Sequence, residues 1–266
     1  MRSNGGTGHA FGPTWTVQPV ASDERGFLYD RVTNRGVTEA SVAFSDLRTA
    51  AFCPRKYYYR RCRQENDEYD PTPPARVEAV RELERRYESL LEAPVATLAD
   101  EPVEPPPAVY RARLGTTRDW LESAGHWGRL RDPDARDRLV TGRDCHGVVH
   151  KVLGDPLEPV LVSAGEPPDQ GVWTSQSVHA VAAAKALAWE HETAVDRAWL
   201  EYPAYGEIRS LELTTRRKAR YRRALRTVRE LDGPPPRIDN ESKCGSCEFA
   251  AECGVRTRSL RSLLGL

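Results

Sequence analysis

The sequence predicts a mixed α/β domain (α+β) in which helices flank a small mixed sheet. Three observations favour this class. The chain of 266 residues, with 39% hydrophobic side chains, is long enough to bury a core. From residue 45 onward, helical patterns and short β-rich runs follow one another in the order helix, three strands, helix, strand. No internal repeat divides the chain, so we expect one domain over 45–266 after a loosely structured segment over 1–44.

The first two helices are predicted on either side of a Cys-Pro step. Ser45 and Asp46 suit a helix start, because a hydroxyl and a carboxylate satisfy free backbone amides and complement the helix dipole. Cys53-Pro54-Arg55 interrupts this helix. Pro54 is suited to the first turn of the next helix, which we expect over 56–63.

A third helix and an insertion are predicted before the sheet. Apolar residues recur at helical spacing over 77–91. The stretch after them is rich in proline and acidic residues, which indicates an exposed, peripheral insertion at about 93–132. In the N-terminal segment the composition predicts one strand near 26–32.

The core elements are expected in the second half of the chain. Short β-rich runs separated by turn residues predict an antiparallel meander, and an alanine-rich helix and further strands follow. The predicted ranges are 138–142, 147–153 and 158–163 for the meander, 175–192 for the helix, and 197–202 and a run ending at 211 for the later strands. A basic helix over 215–231 and a short C-terminal helix over 256–264 complete the pattern.

Charge and cysteine content indicate the cellular compartment of the protein more clearly than they indicate its binding partner. Basic and acidic residues number 39 each, so only their positions are informative. The chain shows no secretory signal pattern and no stretch that is long and apolar enough to cross a membrane, and we therefore expect a cytoplasmic protein without a membrane partner. In a reducing compartment we do not expect the 6 cysteines to pair as disulfides, and their clustering favours a metal site.

Three cysteines form a compact ligand motif near the C-terminus. Cys244, Cys247 and Cys253 are close enough in sequence for one loop to bring their thiolates to one metal centre. The spacing leaves zinc and an iron-sulfur cluster equally open, with unligated thiols as a third alternative. Cys53 is the best fourth ligand, because the Cys-Pro step leaves its thiol at a helix terminus. We interpret the two remaining cysteines as small buried apolar residues: Cys62 and Cys145.

A resemblance to a known family rests on two parts of the chain. The run Ser45-Asp46-Leu47-Arg48, the run Cys53-Pro54-Arg55-Lys56-Tyr57-Tyr58 and the three late cysteines resemble the CRISPR-associated RecB-like exonucleases, the fourth Cas family. The resemblance covers roughly 45–62 and 138–260. It implies a PD-(D/E)XK nuclease core in which Cys53 and the C-terminal segment 244–266 are joined by a 4Fe-4S cluster. It also implies a role in spacer acquisition during CRISPR antiviral defence.

The same resemblance implies that the nuclease site has been lost. Such nucleases use an Asp on one strand, and a Glu and a Lys two residues apart on the next, to hold a divalent cation and orient water. The run 159–168 resembles the family's Glu-x-Lys-x-Gly-x-Pro-Pro segment, with Leu161 in place of Glu and Ser163 in place of Lys. His150 takes the place of the Asp, and His179 that of a Gln on the next helix.

Cations concentrate in two further segments. The helix over 215–231 carries eight of them with no acidic residue between 213 and 229, and their repulsion favours a phosphate backbone opposite. Cations beside the tyrosines at 57–59 suit stacked bases. The predicted nucleic-acid-binding residues are Arg55, Lys56, Arg216, Arg217, Arg220 and Arg223. Alternatively, the helix is a solvated face paired with the acidic linkers, and the tyrosines pack beneath the cluster.

The favoured hypothesis is a catalytically degenerate iron-sulfur protein of this family that binds DNA, with single-stranded ends expected, or a CRISPR adaptation complex. One alternative is an active exonuclease for single-stranded DNA, which would need Mg²⁺ or Mn²⁺ at an unorthodox site built from His150, His179 and Asp144. The other is an iron-sulfur scaffold for protein docking or redox sensing.

Overall fold

The computed structural model describes residues 41–254 except 67, 69 and 71. Helices and strands account for most of this range. In chain order they are β1 (Val42–Ala43), α1 (Phe44–Phe52), α2 (Pro54–Glu65), α3 (Ala75–Glu82), α4 (Tyr87–Glu92), α5 (Pro107–Ser123), α6 (Trp127–Arg131), β2 (Ala135–Thr141), β3 (Cys145–Leu153), β4 (Glu158–Val162), α7 (Thr174–Glu190), β5 (Arg197–Tyr202), β6 (Glu207–Glu212), α8 (Thr215–Glu230) and α9 (Glu241–Gly245).

The six described strands form one mixed sheet. Its order is β1-β3-β4-β5-β6, and β2 also pairs with β3. The meander β2-β3-β4 is antiparallel, whereas β5 runs parallel to β4 after the crossover through α7. A parallel pair requires such a crossover, because a short turn returns the chain antiparallel. The predicted meander and the following helix and strand are therefore confirmed, and so is a mixed sheet flanked by helices.

Each face of the sheet carries its own hydrophobic core. On one face α1, α7 and α8 pack on the strands, and the alanine-rich side of α7 allows close approach to the sheet. On the other face α4, α5 and α6 cover Val160 and Trp199. All five residues of β4 are buried, which explains the continuous apolar run over 160–162.

The segment 93–132 differs from the exposed excursion that its composition indicates. It contains α5 and α6, and it supplies Tyr110, Leu114 and Leu121 to the second core, each fully buried. These side chains share one helical face, so the apolar stripe outweighs the local proline and acidic content. The segment is a structural layer of the sheet.

Smaller differences concern element boundaries. The predicted helix over 77–91 is split into α3 and α4 by a 3-10 turn at Leu83–Arg85, where Leu83 and Glu84 are buried. The expected strand near 26–32 and helix over 256–264 lie outside the described residues. In the described part of the chain, no helix combines the length and the apolar character needed to cross a membrane.

Candidate functional site

The four cysteines of the predicted cluster lie at turns and helix ends. Cys53 occupies the step between α1 and α2 in an extended conformation, and its N–H donates to the Thr49 carbonyl at 2.9 Å. Cys244 belongs to α9, and the Cys247 N–H donates to the Cys244 carbonyl at 3.2 Å. The Cys253 N–H donates to the Phe249 carbonyl at 2.9 Å. The backbone of the late motif is thus folded into consecutive tight turns.

These four cysteines line one cavity. It measures about 350 Å³ including its open mouth, and none of the four thiols is in a disulfide. Apolar side chains and cations complete its wall: Phe52, Ile238, Phe249, Ala250, Lys56, Arg237 and Lys243 among them. Four thiols beside cations form a donor set that suits an anionic iron-sulfur centre, because nearby positive charge stabilises thiolates.

The thiols also act on one another electrostatically. Burial raises the pKa of Cys253 above its ordinary value, Arg55 opposes this shift, and the thiols of Cys53 and Cys244 add to it. The pKa of Cys253 therefore depends on cysteines from both ends of the domain. By contrast, Cys145 is buried elsewhere, and burial raises its pKa to about 11.

No group of three His, Cys, Asp or Glu side chains in the described part of the chain is arranged to hold a single metal ion. A 4Fe-4S cluster places different requirements on its ligands, because each thiolate binds a different iron and the sulfur atoms surround the whole cluster. The cavity lined by four cysteines is therefore compatible with a cluster even though the thiols do not converge on one point.

Side chains of α2 hold the cysteine-bearing segment in place. Tyr59 stacks on Phe249 with ring centroids 5.8 Å apart, and Arg63 bridges Glu252 at 2.6 Å. Arg61 donates to the Leu231 carbonyl at 2.8 Å. These contacts join chain segments almost 200 residues apart, so the N- and C-terminal parts of the fold meet at the cysteine cavity.

Two of the predicted nucleic-acid-binding residues take part in the same contacts. Arg55 donates to the Pro235 carbonyl at 3.2 Å and to the Tyr59 hydroxyl, and Lys56 pairs with Glu248 at 2.9 Å. This is the packing that the sequence left open as the alternative for the tyrosine-rich helix.

The predicted arginines of α8 lie on its outer side. Tyr221, Leu225 and Val228 form the buried face of this helix. Arg217 donates to the Glu212 carbonyl at 2.7 Å, and Arg229 pairs with Asp144 at 3.4 Å. Within the described part of the chain, the side chains of the other five arginines of the helix make no hydrogen bond or ion pair: Arg216, Arg220, Arg222, Arg223 and Arg226.

The positions expected to carry the nuclease chemistry hold different groups. Leu161 is 3% exposed and packs in the first core. The Ser163 hydroxyl accepts from the Gln176 amide at 3.0 Å, and Tyr202 donates to the same Gln176 at 2.6 Å. The side chains of Leu161 and Ser163 therefore provide buried packing and a satisfied hydrogen-bond network.

The two histidines at the remaining positions are half-buried and neutral. His150 Nδ1 accepts from the Val162 N–H at 3.3 Å, which leaves the ring proton on Nε2. Burial lowers the pKa of His150 to about 3, and Arg81, Arg48 and Lys151 contribute to the same shift. Burial also lowers the pKa of His179 well below its ordinary range.

Asp144 does not complete a metal site with these histidines. It precedes β3, whereas His150 lies six residues further along that strand, which corresponds to roughly 20 Å. Its carboxylate faces Arg229. The unorthodox metal site considered from the sequence therefore lacks its acidic ligand.

A buried ionic network was not foreseen from the sequence. Lys151 and Glu201 are both 0% exposed, and their side chains form a hydrogen-bonded ion pair at 2.8 Å. Glu84 approaches the same ammonium at 2.5 Å, and Tyr87 donates to Glu201 at 3.2 Å. Because Lys151 and Glu201 lie on different strands, no local pattern relates them. The alternation of β3 does place Lys151 on the face opposite His150.

Comparisons with known proteins assign neither a family nor a function. No family model matches the chain, and no curated protein matches it. One matching solved structure is the crystal structure of SSO0001; it is 15% identical, covers 83% of this chain and 89% of that chain, and has a TM-score of 0.38. A likeness this distant does not establish the function of this chain.

Proposed function

We propose that this protein is an iron-sulfur member of the CRISPR-associated RecB-like exonuclease family whose nuclease site is degenerate, and that it binds DNA. The observation that carries the proposal is the cavity lined by Cys53 from the start of the domain and by the three late cysteines. A cluster there would join the two ends of the domain and stabilise the fold.

The element order supports a PD-(D/E)XK core. One helix, a three-stranded antiparallel meander, a crossover helix and a parallel strand are the elements that the family resemblance requires, and they correspond to α1, β2-β3-β4, α7 and β5. When the run 159–168 is aligned with the family's Glu-x-Lys motif, His150 and Leu161 stand where the family has cation-binding carboxylates, and Ser163 stands where it has the lysine. Metal-dependent hydrolysis therefore lacks its ligands.

The outer face of α8 supports binding of a polyanion. Its five arginines without a partner among the described residues carry a repulsion that phosphate groups relieve. An acidic protein surface in an adaptation complex would meet the same electrostatic requirement. We propose that DNA is the partner of this face, and binding to an acidic protein alone is the alternative outcome of the test.

An anaerobic preparation tests the proposal when iron, visible absorbance, DNA affinity and nuclease activity are measured on the same sample. We expect bound iron, absorbance from thiolate-to-iron charge transfer, affinity for single-stranded DNA, and no cleavage of end-labelled DNA with Mg²⁺ or Mn²⁺. Metal-dependent cleavage would contradict the loss of catalysis. Absence of DNA binding in iron-loaded protein would overturn the DNA partner and favour a docking scaffold.

A further inference from the structure

A pocket opens between α7, α8 and the turn that joins β2 to β3. It is lined by 142–145 of the turn, by Lys185 and Trp189 of α7, and by Tyr221 of α8. It spans about 580 Å³ including its open mouth. Pockets for small ligands commonly measure roughly 300–1,000 Å³, so a planar group of nucleobase size can enter it.

The inner end of this pocket is held in a fixed shape. The buried Tyr221 hydroxyl donates to Cys145 Sγ at 3.3 Å, and the Lys185 ammonium lies 5.8 Å from the centroid of the same tyrosine ring. Gly142 lies so close to α7 that a Cβ added to it would be 2.7 Å from the Ala186 Cα. The turn is therefore packed directly against α7, and the pocket is formed before a ligand enters.

Trp189 lies at the mouth of the pocket, and its indole ring is 59% exposed. Two other exposed tryptophans have internal partners: Trp120 contacts Trp199 with ring centroids 6.5 Å apart, and Trp173 donates to the Glu166 carbonyl at 2.7 Å. Trp189 has neither a ring contact nor a hydrogen bond with any described residue. Its aromatic face is thus available to a planar ligand.

The charges that line the pocket are unequally distributed. Arg143 and Lys185 are exposed cations, and neither forms an ion pair with a described residue. Asp144 supplies the carboxylate of the described lining, and it pairs with Arg229 of α8 at 3.4 Å. The exposed cations attract phosphate to the mouth, whereas a carboxylate in the wall disfavours phosphate inside and favours an uncharged group there.

The pocket adjoins the arginine-rich face of α8. Tyr221 lines it, and Arg229 reaches its wall through the ion pair with Asp144. Arg226 and Arg222 precede Arg229 by three and seven residues, so they lie on the same side of the helix. A nucleic-acid backbone along these arginines would therefore pass beside the pocket.

We infer that this pocket binds one unpaired base of single-stranded DNA, with Trp189 as the stacking surface and with Arg143 and Lys185 beside the flanking phosphates. Every base has an aromatic face, so stacking of this kind tolerates different sequences. A base inside a duplex is already stacked and paired, and it would have to be extruded before it could enter. This inference rests on the proposed function, because it specifies the form of DNA that the α8 face would bind.

Fluorescence anisotropy with an oligothymidylate and with an abasic strand of equal length tests the inference. Trp189→Ala should weaken binding of the oligothymidylate by about fivefold or more, the scale of one lost stacked base, and Trp189→Tyr by less because it keeps an aromatic ring. Trp189→Ala should leave the salt dependence and the affinity for the abasic strand unchanged, since it removes no charge. Trp120→Ala, at an exposed tryptophan on the opposite face of the sheet, is the control and should bind the oligothymidylate as the wild type does.

Two results would overturn this inference alone: unchanged oligothymidylate affinity in Trp189→Ala while the α8 arginines still determine the salt dependence, or an equal loss of affinity for the abasic strand. Because the indole ring of Trp189 has no described partner, its removal should leave the unfolding midpoint unchanged. Absence of DNA binding by the iron-loaded wild type would overturn the proposed DNA partner and this pocket together.

Discussion

Neutralising two arginines of α8, as Arg216→Gln with Arg220→Gln, is expected to weaken single-stranded DNA binding and to flatten its dependence on salt. The two side chains are one helical turn apart on the outer side of the helix and have no internal partner within the described residues. Their removal should therefore change the interaction with phosphate while the packed face of α8 stays intact.

The magnitude follows from counterion release. If each of the five arginines without a described partner contacts one phosphate, the logarithm of affinity falls against the logarithm of salt with a slope of roughly −3.5, since each contact on a single strand contributes about −0.7. Raising salt from about 50 to about 200 mM then lowers affinity roughly 130-fold. With about three contacts left, the slope is roughly −2.1 and the loss is roughly 20-fold.

Fluorescence anisotropy with a labelled oligonucleotide across a KCl series measures both slopes. The control is Arg113→Gln with Arg118→Gln, two arginines of α5 whose exposure is comparable to that of the α8 pair. An unchanged slope in the α8 variant would refute the reasoning. Equal flattening in the α5 control would show that binding depends on overall charge.

Three further predictions concern stability. Cys247→Ser should lower the free energy of unfolding under anaerobic conditions by roughly 3–5 kcal/mol, which is the scale of a cross-link that closes a long loop. Cys62→Ser, outside the cavity, is the control and should change that free energy little. Equal denaturation midpoints for the two variants would contradict a structural role of the cluster. Lys151→Met should lower the free energy of unfolding, measured by urea denaturation, by roughly 3–5 kcal/mol because it leaves Glu201 buried without its cation. Adding Glu201→Gln should restore part of that loss. Unchanged stability of the Lys151→Met variant would contradict the prediction. The pKa of folded His150 is lowered to about 3, so the unfolded chain takes up its proton at a higher pH than the folded chain does, and stability should fall as pH drops below about 6.5. His150→Gln should flatten that fall in thermal melts measured across the pH range, and coinciding profiles of variant and wild type would contradict this role of His150.

Local sequence patterns were sufficient to predict the helices beside the cysteine cavity and the antiparallel meander of the sheet. The Cys53-Pro54 step separates α1 from α2 because proline suits the first turn of a helix, and the turn residues of the meander mark β2, β3 and β4. The late cysteine motif is local as well. Its meeting with Cys53 was predicted from the Cys-Pro step, which leaves that thiol at a helix end, and from the family resemblance, because the spacing alone does not specify a partner almost 200 residues away.

The remaining features depend on contacts that are distant in sequence. Two α2 cations have their partners in the C-terminal segment, Glu252 for Arg63 and Glu248 for Lys56, so the sequence could not distinguish a DNA surface from an internal clamp. The Lys151–Glu201 pair is specified by the sheet register across β4. The sequence did contain an indication that 93–132 is buried, because Tyr110, Leu114 and Leu121 recur at helical spacing. The prolines nearby favoured the interpretation as an exposed segment.

Iron and sulfide content per chain, compared between the wild type, Cys53→Ser and Cys62→Ser after anaerobic purification, tests the central claim most directly. A 4Fe-4S cluster shared by both ends of the domain predicts about four iron and four sulfide ions in the wild type and in Cys62→Ser, with marked loss in Cys53→Ser. Iron-free wild-type protein, or an intact cluster in Cys53→Ser, would contradict it.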